Sequence, residues 1–188
     1  MIRDYSISVA IATYNGEKYI EEQLKSILSQ LNIDDEIIIS DDGSTDNTIN
    51  IINSMNDKRI KLIQGPKKGV KQNFANAISN CSGKYIFLSD QDDIWVNNKV
   101  DKVLNIFENN KYDCITHNCY VVNGDNSEII IDSFFQHRKS KKGIVSNMWK
   151  NKYLGCCMVF RSDMKKNILP IPNNIEMHDQ WIGIICEK

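Results

Sequence analysis

An α/β fold built on a mostly parallel, Rossmann-like sheet is what this sequence predicts, and three observations predict it. Short apolar runs alternate four times with helix-period segments across the first 110 residues, the pattern of successive strand–helix–strand units. Runs such as Ile37-Ile38-Ile39 and Tyr85-Ile86-Phe87-Leu88 are apolar in series rather than in alternation, as strands covered on both faces are. Each run stops at polar or acidic residues. That puts chemistry at the carboxyl edge of the sheet, where open α/β sheets bind ligands.

Residues 7–12 form the first expected strand, and Thr13-Tyr14-Asn15-Gly16 supplies turn chemistry. Residues 17–30 carry Tyr19, Ile20, Leu24, Ile27 and Leu28 at helical spacing. The second strand, 36–39, ends in Ser40-Asp41-Asp42-Gly43, and Ser44 is the expected N-cap of a helix through Ile49, Ile52 and Met55. A third strand at 60–63 stops at Gln64-Gly65-Pro66, and Gly69 opens a helix over 70–80. The fourth strand, 85–88, runs into Ser89 and then Asp90, Asp92 and Asp93, with a helix expected from Trp95 onward.

After Asp113 the texture changes. A strand over 114–122, an Asn-Gly hairpin signal at 123–126 and a return over 127–131 are expected. Residues 133–143 read as a polar, basic loop around Phe134-Phe135, followed by a short helix at 144–151 that contains Trp149. A strand at 153–160, a helix at 161–167, an extended Leu169-Pro170-Ile171-Pro172 and a last helix at 176–186 complete the chain. That helix ends without a capping signal, so further sequence is expected beyond it. The organisation expected is one domain over 1–188, with a ligand-binding half (1–112) and a second half (113–188).

A formal net charge of −1, from 23 basic and 24 acidic residues, excludes a nucleic-acid binder that relies on bulk electrostatics. Six cysteines show no C-x-x-C spacing, which argues against zinc and leaves them as small buried hydrophobes. No apolar stretch reaches the ~20 residues needed to cross a bilayer. Met1-Ile2-Arg3-Asp4 leads straight into a strand-like run with no signal peptide. The expected location is cytoplasmic, with at most peripheral association at the inner face of a membrane.

Three strand ends converge on one edge: Thr13-Tyr14-Asn15, Asp41-Asp42 and Asp90-x-Asp92. Clustered carboxylates repel and raise one another's pKa unless a cation or donor compensates. Taken alone, such a cluster reads first as a solvated loop. Walker A and G-x-G-x-x-G are both absent, so a bound pyrophosphate at this edge needs a divalent cation or basic side chains.

These motifs resemble family 2 inverting glycosyltransferases of the GT-A fold. Ser8 to Gly16 (SVAIATYNG), Ile37 to Thr48 (IIISDDGSTDNT), Leu88 to Trp95 (LSDQDDIW) and Met177 to Trp181 (MHDQW) match four family motifs in order, and the last is similar to bacterial rhamnosyl- and related cell-surface polysaccharide transferases. The resemblance implies that Thr13, Tyr14 and Asn15 line a base and ribose pocket, that Asp41 bonds the base and that Asp90 contacts ribose or sugar. It implies that Asp92 ligates Mg²⁺ or Mn²⁺ on the donor diphosphate, and that Asp179 is the general base. His178, Trp181 and Trp95 become candidate acceptor contacts, although a core position suits both tryptophans equally well.

The sequence departs from the family where many relatives carry an Arg-Asn pair. Here Gln72-Asn73 stands in that place, with Lys71 beside it as the expected phosphate cation. No Q-x-x-R-W follows Trp181, which points away from a processive synthase. The expected partners are a UDP- or dTDP-sugar donor and a glycan or lipid-linked glycan acceptor. The basic run 137–142 reads as a solvated face or as a lid over the donor. A nucleotidyltransferase and a non-catalytic nucleotide-sugar-binding module are the alternatives.

Overall fold

The computed structural model describes residues 3–124, 128–140, 151 and 153–187; residues 144–150 of the helix expected at 144–151, Lys141 and Lys142 lie outside them. The serial apolar runs become β1 (Ile7–Thr13), β2 (Glu36–Asp41) and β4 (Tyr85–Ser89), each buried along its whole length. β3 (Ile60–Gln64) is the partly covered edge. With β5 (Cys114–Thr116) and β8 (Met158–Arg161) they make a six-stranded sheet of order β3-β2-β1-β4-β8-β5. The first four strands are mutually parallel, and β8 runs antiparallel to both β4 and β5. This is the mixed, mostly parallel sheet the sequence predicts.

Strand alternation sends side chains to two cores. Ile7, Val9, Ile11, Ile37, Ile39 and Phe87 face α1 (Ile20–Leu28), α2 (Thr48–Ser54) and α4 (Lys99–Asn109). Ala10, Ile38, Ile86, Leu88 and Phe160 face α3 (Val70–Asn80), the short α6 (Lys165–Ile168) and α7 (His178–Cys186). Each fully buried aliphatic side chain contributes about 1.5–3 kcal/mol of transfer free energy.

Local chemistry moves several boundaries. Ser44 does not cap α2; its hydroxyl goes to Asp41, and Asp46 takes the Thr48 N–H at 3.0 Å instead. α4 begins at Lys99 rather than Trp95. Asn98 is left-handed there (φ 65°), and Trp95 is drawn into the core, its indole N–H on Ser89 Oγ at 3.1 Å.

The single strand expected over 114–122 splits. β5 joins the main sheet, whereas β6 (Val121–Val122) pairs with β7 (Ile129–Ile131) in a separate ladder. The basic loop starts as a helix, α5 (Phe134–Arg138), because Ser133 accepts the Gln136 N–H. The strand expected at 153–160 opens with a 3₁₀ turn, Gly155–Cys157. Among the described residues, no helix is long and apolar enough to cross a membrane.

Candidate active site

The chain runs outward from β1 to β2 to β3, then α3 carries it back across the other face to β4, on the far side of β1. This reversal opens a crevice between the carboxyl ends of β1 and β4, the place where α/β sheets take ligands. Register aligns those ends: Thr13 lies beside Asp41, and Ile11 beside Ser89. A cleft of about 610 Å³ occupies the crevice, lined by Thr13, Tyr14, Asp42, Lys67, Asn73, Asp90, Gln91 and Asp92 among others.

On the β1 side, Tyr14 is 56% exposed and free to stack on a planar ligand. Its backbone is clamped by Gln91, which accepts the Tyr14 N–H at 2.9 Å and donates to the Tyr14 carbonyl at 3.2 Å. Asn15 is a left-handed turn residue whose Oδ1 accepts the Thr45 N–H at 2.8 Å. Asn73 is buried, donates to the Thr13 carbonyl at 3.1 Å and leaves its Oδ1 without a partner at the cleft wall.

Two expected donor contacts are placed differently from the expectation. The Asp41 carboxylate is already occupied by the Thr13 hydroxyl (3.0 Å), the Gly43 and Ser44 N–H groups (3.0 and 2.8 Å) and the Ser44 hydroxyl. It therefore organises the loop after β2. Lys71 points away from the cleft and donates to the carbonyls of Asn173 (3.0 Å) and Ile175. Gln72 beside it binds the carbonyl of Ile171 at 3.0 Å.

The cation that lines the cleft is Lys67, which sequence reading missed. It sits in a left-handed turn (φ 56°), its N–H held by Asp42 at 2.6 Å and its stem lying over Gly43. The need for a basic side chain was legible in the missing glycine loop. Which lysine meets it depends on the fold of the 65–69 turn.

On the β4 side the acids separate. Asp90 is half-buried, and burial, then Asp93, Asp92 and Asp179, push its carboxyl up to about 7. Burial also raises Asp93, opposed by the Cys156 thiol and the Lys99 ammonium. Asp90, Asp93 and Cys156 bring a carboxylate or sulfur atom each to within 4.8 Å of one another, a potential cation cluster among the described residues. Asp92, the expected metal ligand, stands outside it, exposed where two clefts meet. Trp95 is 4% exposed, packed against Phe87 and under the Lys99 ammonium, so it is chiefly a core residue.

Asp179 opens α7, 89 residues after Asp90 in sequence yet near enough to raise its pKa. It is 6% exposed; burial raises its own carboxyl, against the Asn151 amide at 2.8 Å and backbone N–H groups that include that of Gly155. His178 is 3% exposed and stacks on Phe74 at 4.1 Å, both ring nitrogens without a partner, and burial lowers its pKa to about 4. Trp181 donates its indole N–H to the Ile168 carbonyl at 2.8 Å and packs in the second core. Trp181 therefore anchors α7.

A second cleft of about 730 Å³ starts at the same acids and runs under β6. Ile94, Val96, Tyr120, Val122 and Leu154 give it an apolar wall, with Lys99 and Lys102 on the α4 side.

A crevice at a strand-order reversal, acids at its mouth and a further buried carboxylate on a separate helix define a GT-A glycosyltransferase fold. The chain belongs to the glycosyl transferase family 2, whose family model matches residues 8–168. It is 40% identical over 116 residues to a dTDP-rhamnosyl transferase of Shigella flexneri, covering 57% of this chain and 40% of that protein. It is 29% identical over 187 residues to an Escherichia coli β-1,3-glucosyltransferase named for UDP-Glc and α-D-GlcNAc-diphosphoundecaprenol, covering 98% and 72%.

Staphylococcus aureus TarS in complex with UDP-GlcNAc superimposes at a TM-score of 0.76 with 22% identity, over 97% of this chain and 53% of that one. A Pyrobaculum calidifontis mannosyltransferase with GDP-Man and Mn²⁺ reaches 0.68 at 15% identity, over 95% and 50%. This chain thus spans about half the length of those solved structures.

Proposed function

We propose that this chain transfers one sugar, with inversion, from a UDP- or dTDP-sugar to a hydroxyl of a cell-surface glycan acceptor. The observation that carries the reading is the arrangement of three groups around one crevice. Tyr14, Asn73 and Lys67 line the donor cleft together with Asp90 and Asp92, and Asp179 sits buried near enough to Asp90 to raise its pKa. Thr13 and Asn15 shape the donor side through Asp41 and Thr45.

Asp179 accepts the proton of the acceptor hydroxyl as its oxygen bonds to the anomeric carbon and the bond to the diphosphate oxygen breaks. A single base and direct displacement invert the configuration. Asn151 orients the Asp179 carboxylate, and burial raises its basicity. Tyr14 stacks on the base, and the Lys67 ammonium meets phosphate.

A hard divalent cation, Mg²⁺ or Mn²⁺, suits the oxygen donors of Asp92 and Asp90. Despite contact with the Cys157 thiol, burial and the neighbouring acids push the Cys156 thiol up to about 11, so it stays protonated. When bound, the cation offsets charge on the departing nucleoside diphosphate.

The apolar second cleft supports an acceptor carried on a lipid, and hence work at the cytoplasmic face of a membrane. The rhamnose and glucose relatives leave the donor sugar open between a deoxyhexose and a hexose.

Asp179→Asn tests the reading. Transfer should fall at least 10²-fold, while UDP- or dTDP-sugar binding in the presence of Mn²⁺, read by thermal shift, stays within twofold of the parent. Normal turnover in Asp179→Asn would remove the base assignment. A chain that binds donor but transfers nothing to any acceptor, before or after substitution, would favour a binding module.

A further inference from the structure

We infer that the 3₁₀ turn Gly155–Cys157 is a positioning element that sets the distance between the donor-side acids and Asp179. Gly155 and Cys156, adjacent in sequence, each hold one side of the site. This rests on the reading of Asp179 as base.

Gly155 faces the base. A Cβ built on it would lie 2.8 Å from His178 Nε2 and 3.4 Å from Asp179 Cβ. The first distance is closer than real Cβ contacts allow. His178 cannot yield easily, being 3% exposed and stacked on Phe74 at 4.1 Å. Gly155 has no left-handed backbone to explain its glycine, because the positive-φ glycines are Gly43 and Gly69. Its bare Cα is needed for close approach: α7 docks its first turn, His178 and Asp179, directly on this backbone.

Cys156 faces the donor. Its sulfur lies within 4.8 Å of carboxylate oxygens of both Asp90 and Asp93, so the side chain packs directly against the acids. The carbonyl of Cys156 accepts the buried Lys99 ammonium at 3.3 Å, and the Cys157 N–H closes the turn on the Leu154 carbonyl at 3.0 Å. A turn fixed at its carbonyl by α4 and continuous with β8 is stiff. One residue step therefore separates the contact to the base from the contact to the acids.

The test splits the two halves. Gly155→Ala pushes α7 away, so kcat should fall at least tenfold while the Kd for a UDP- or dTDP-sugar with Mn²⁺, measured by calorimetry, stays within twofold. Cys156→Ala should weaken Mn²⁺ binding by at least threefold without transfer being assayed, and Cys156→Ser, which keeps a small donor, should restore it.

A folded Gly155→Ala with parental kcat overturns the inference, as does loss of donor binding by the same factor as kcat. Unchanged Mn²⁺ affinity in Cys156→Ala also overturns it. The Cys156 pair removes only a thiol and decides the matter even where Gly155→Ala fails to fold. Inactive Asp179→Asn beside fully active Gly155→Ala sinks the positioning role alone, whereas active Asp179→Asn sinks the base reading beneath it.

Discussion

Lys67 and Lys71 show how four residues of separation divide two roles. Both precede or open α3 and both carry the same ammonium. Lys71 donates to two backbone carbonyls of the 173–175 segment, whereas Lys67 lines the cleft between β1 and β4. A charge-assisted contact to phosphate is worth about 1.5–3 kcal/mol. Lys67→Ala should therefore raise the donor Kd about 10- to 100-fold with little change in melting temperature, as titration against a UDP- or dTDP-sugar would show. Asp41 teaches the same lesson from the acid side. Four internal donors occupy its carboxylate, so replacing it should disorder a loop before it touches a ligand.

At the scale of elements, α3 does more than cover one face of the sheet. Through Lys71 and Gln72 it staples the 171–175 segment that leads into α7, and α7 carries Asp179. Lys71→Met should therefore lower kcat severalfold and leave the donor Kd unchanged, the reverse of Lys67→Ala. Equal effects of the two variants on donor binding would mean that Lys71 reaches the donor after all. Trp181 acts at the same scale, tying α7 to α6 through Ile168. It belongs to the placement of Asp179.

The whole molecule responds to acid through groups placed far apart. Burial lowers His178 from 6.5 to about 4, and burial with the nearby Lys99 charge does the same to His117. Between those values the unfolded chain takes up protons that the folded chain refuses, so stability is full above pH 6.5 and falls as pH drops toward 4.

Glu36 adds a lower window. Burial alone would raise it, but Lys61, Ser8 and Ser82 outweigh burial and hold it at about 2. Its contribution is present above 4.5 and lost as pH falls toward 2. His178→Phe keeps the stack on Phe74 and removes a proton site. Its loss of stability between pH 6.5 and 4, followed by urea unfolding, should be about 2–3 kcal/mol smaller than the parent's. A parallel pH dependence would show that His178 is already solvated.

Serial apolar runs, helical periodicity and acids at run ends were legible in the residues themselves. They sufficed for the parallel sheet, for its chemical edge and, through four motifs in order, for the family. Those signals are local, set by a side chain's own burial preference and that of its neighbours. The break of 114–122 between two sheets, the 3₁₀ turn at Gly155 and the helix at Phe134 were not legible, because pairing partners and caps outweigh propensity there. Nor did sequence spacing show that Asp41 is saturated, that Lys67 rather than Lys71 faces the cleft, or that Gly155 and Cys156 stand between Asp179 and the acids. Such facts depend on which of several chemically equal groups the fold brings within about 3 Å of a partner. Only the packed tertiary structure decides that distance.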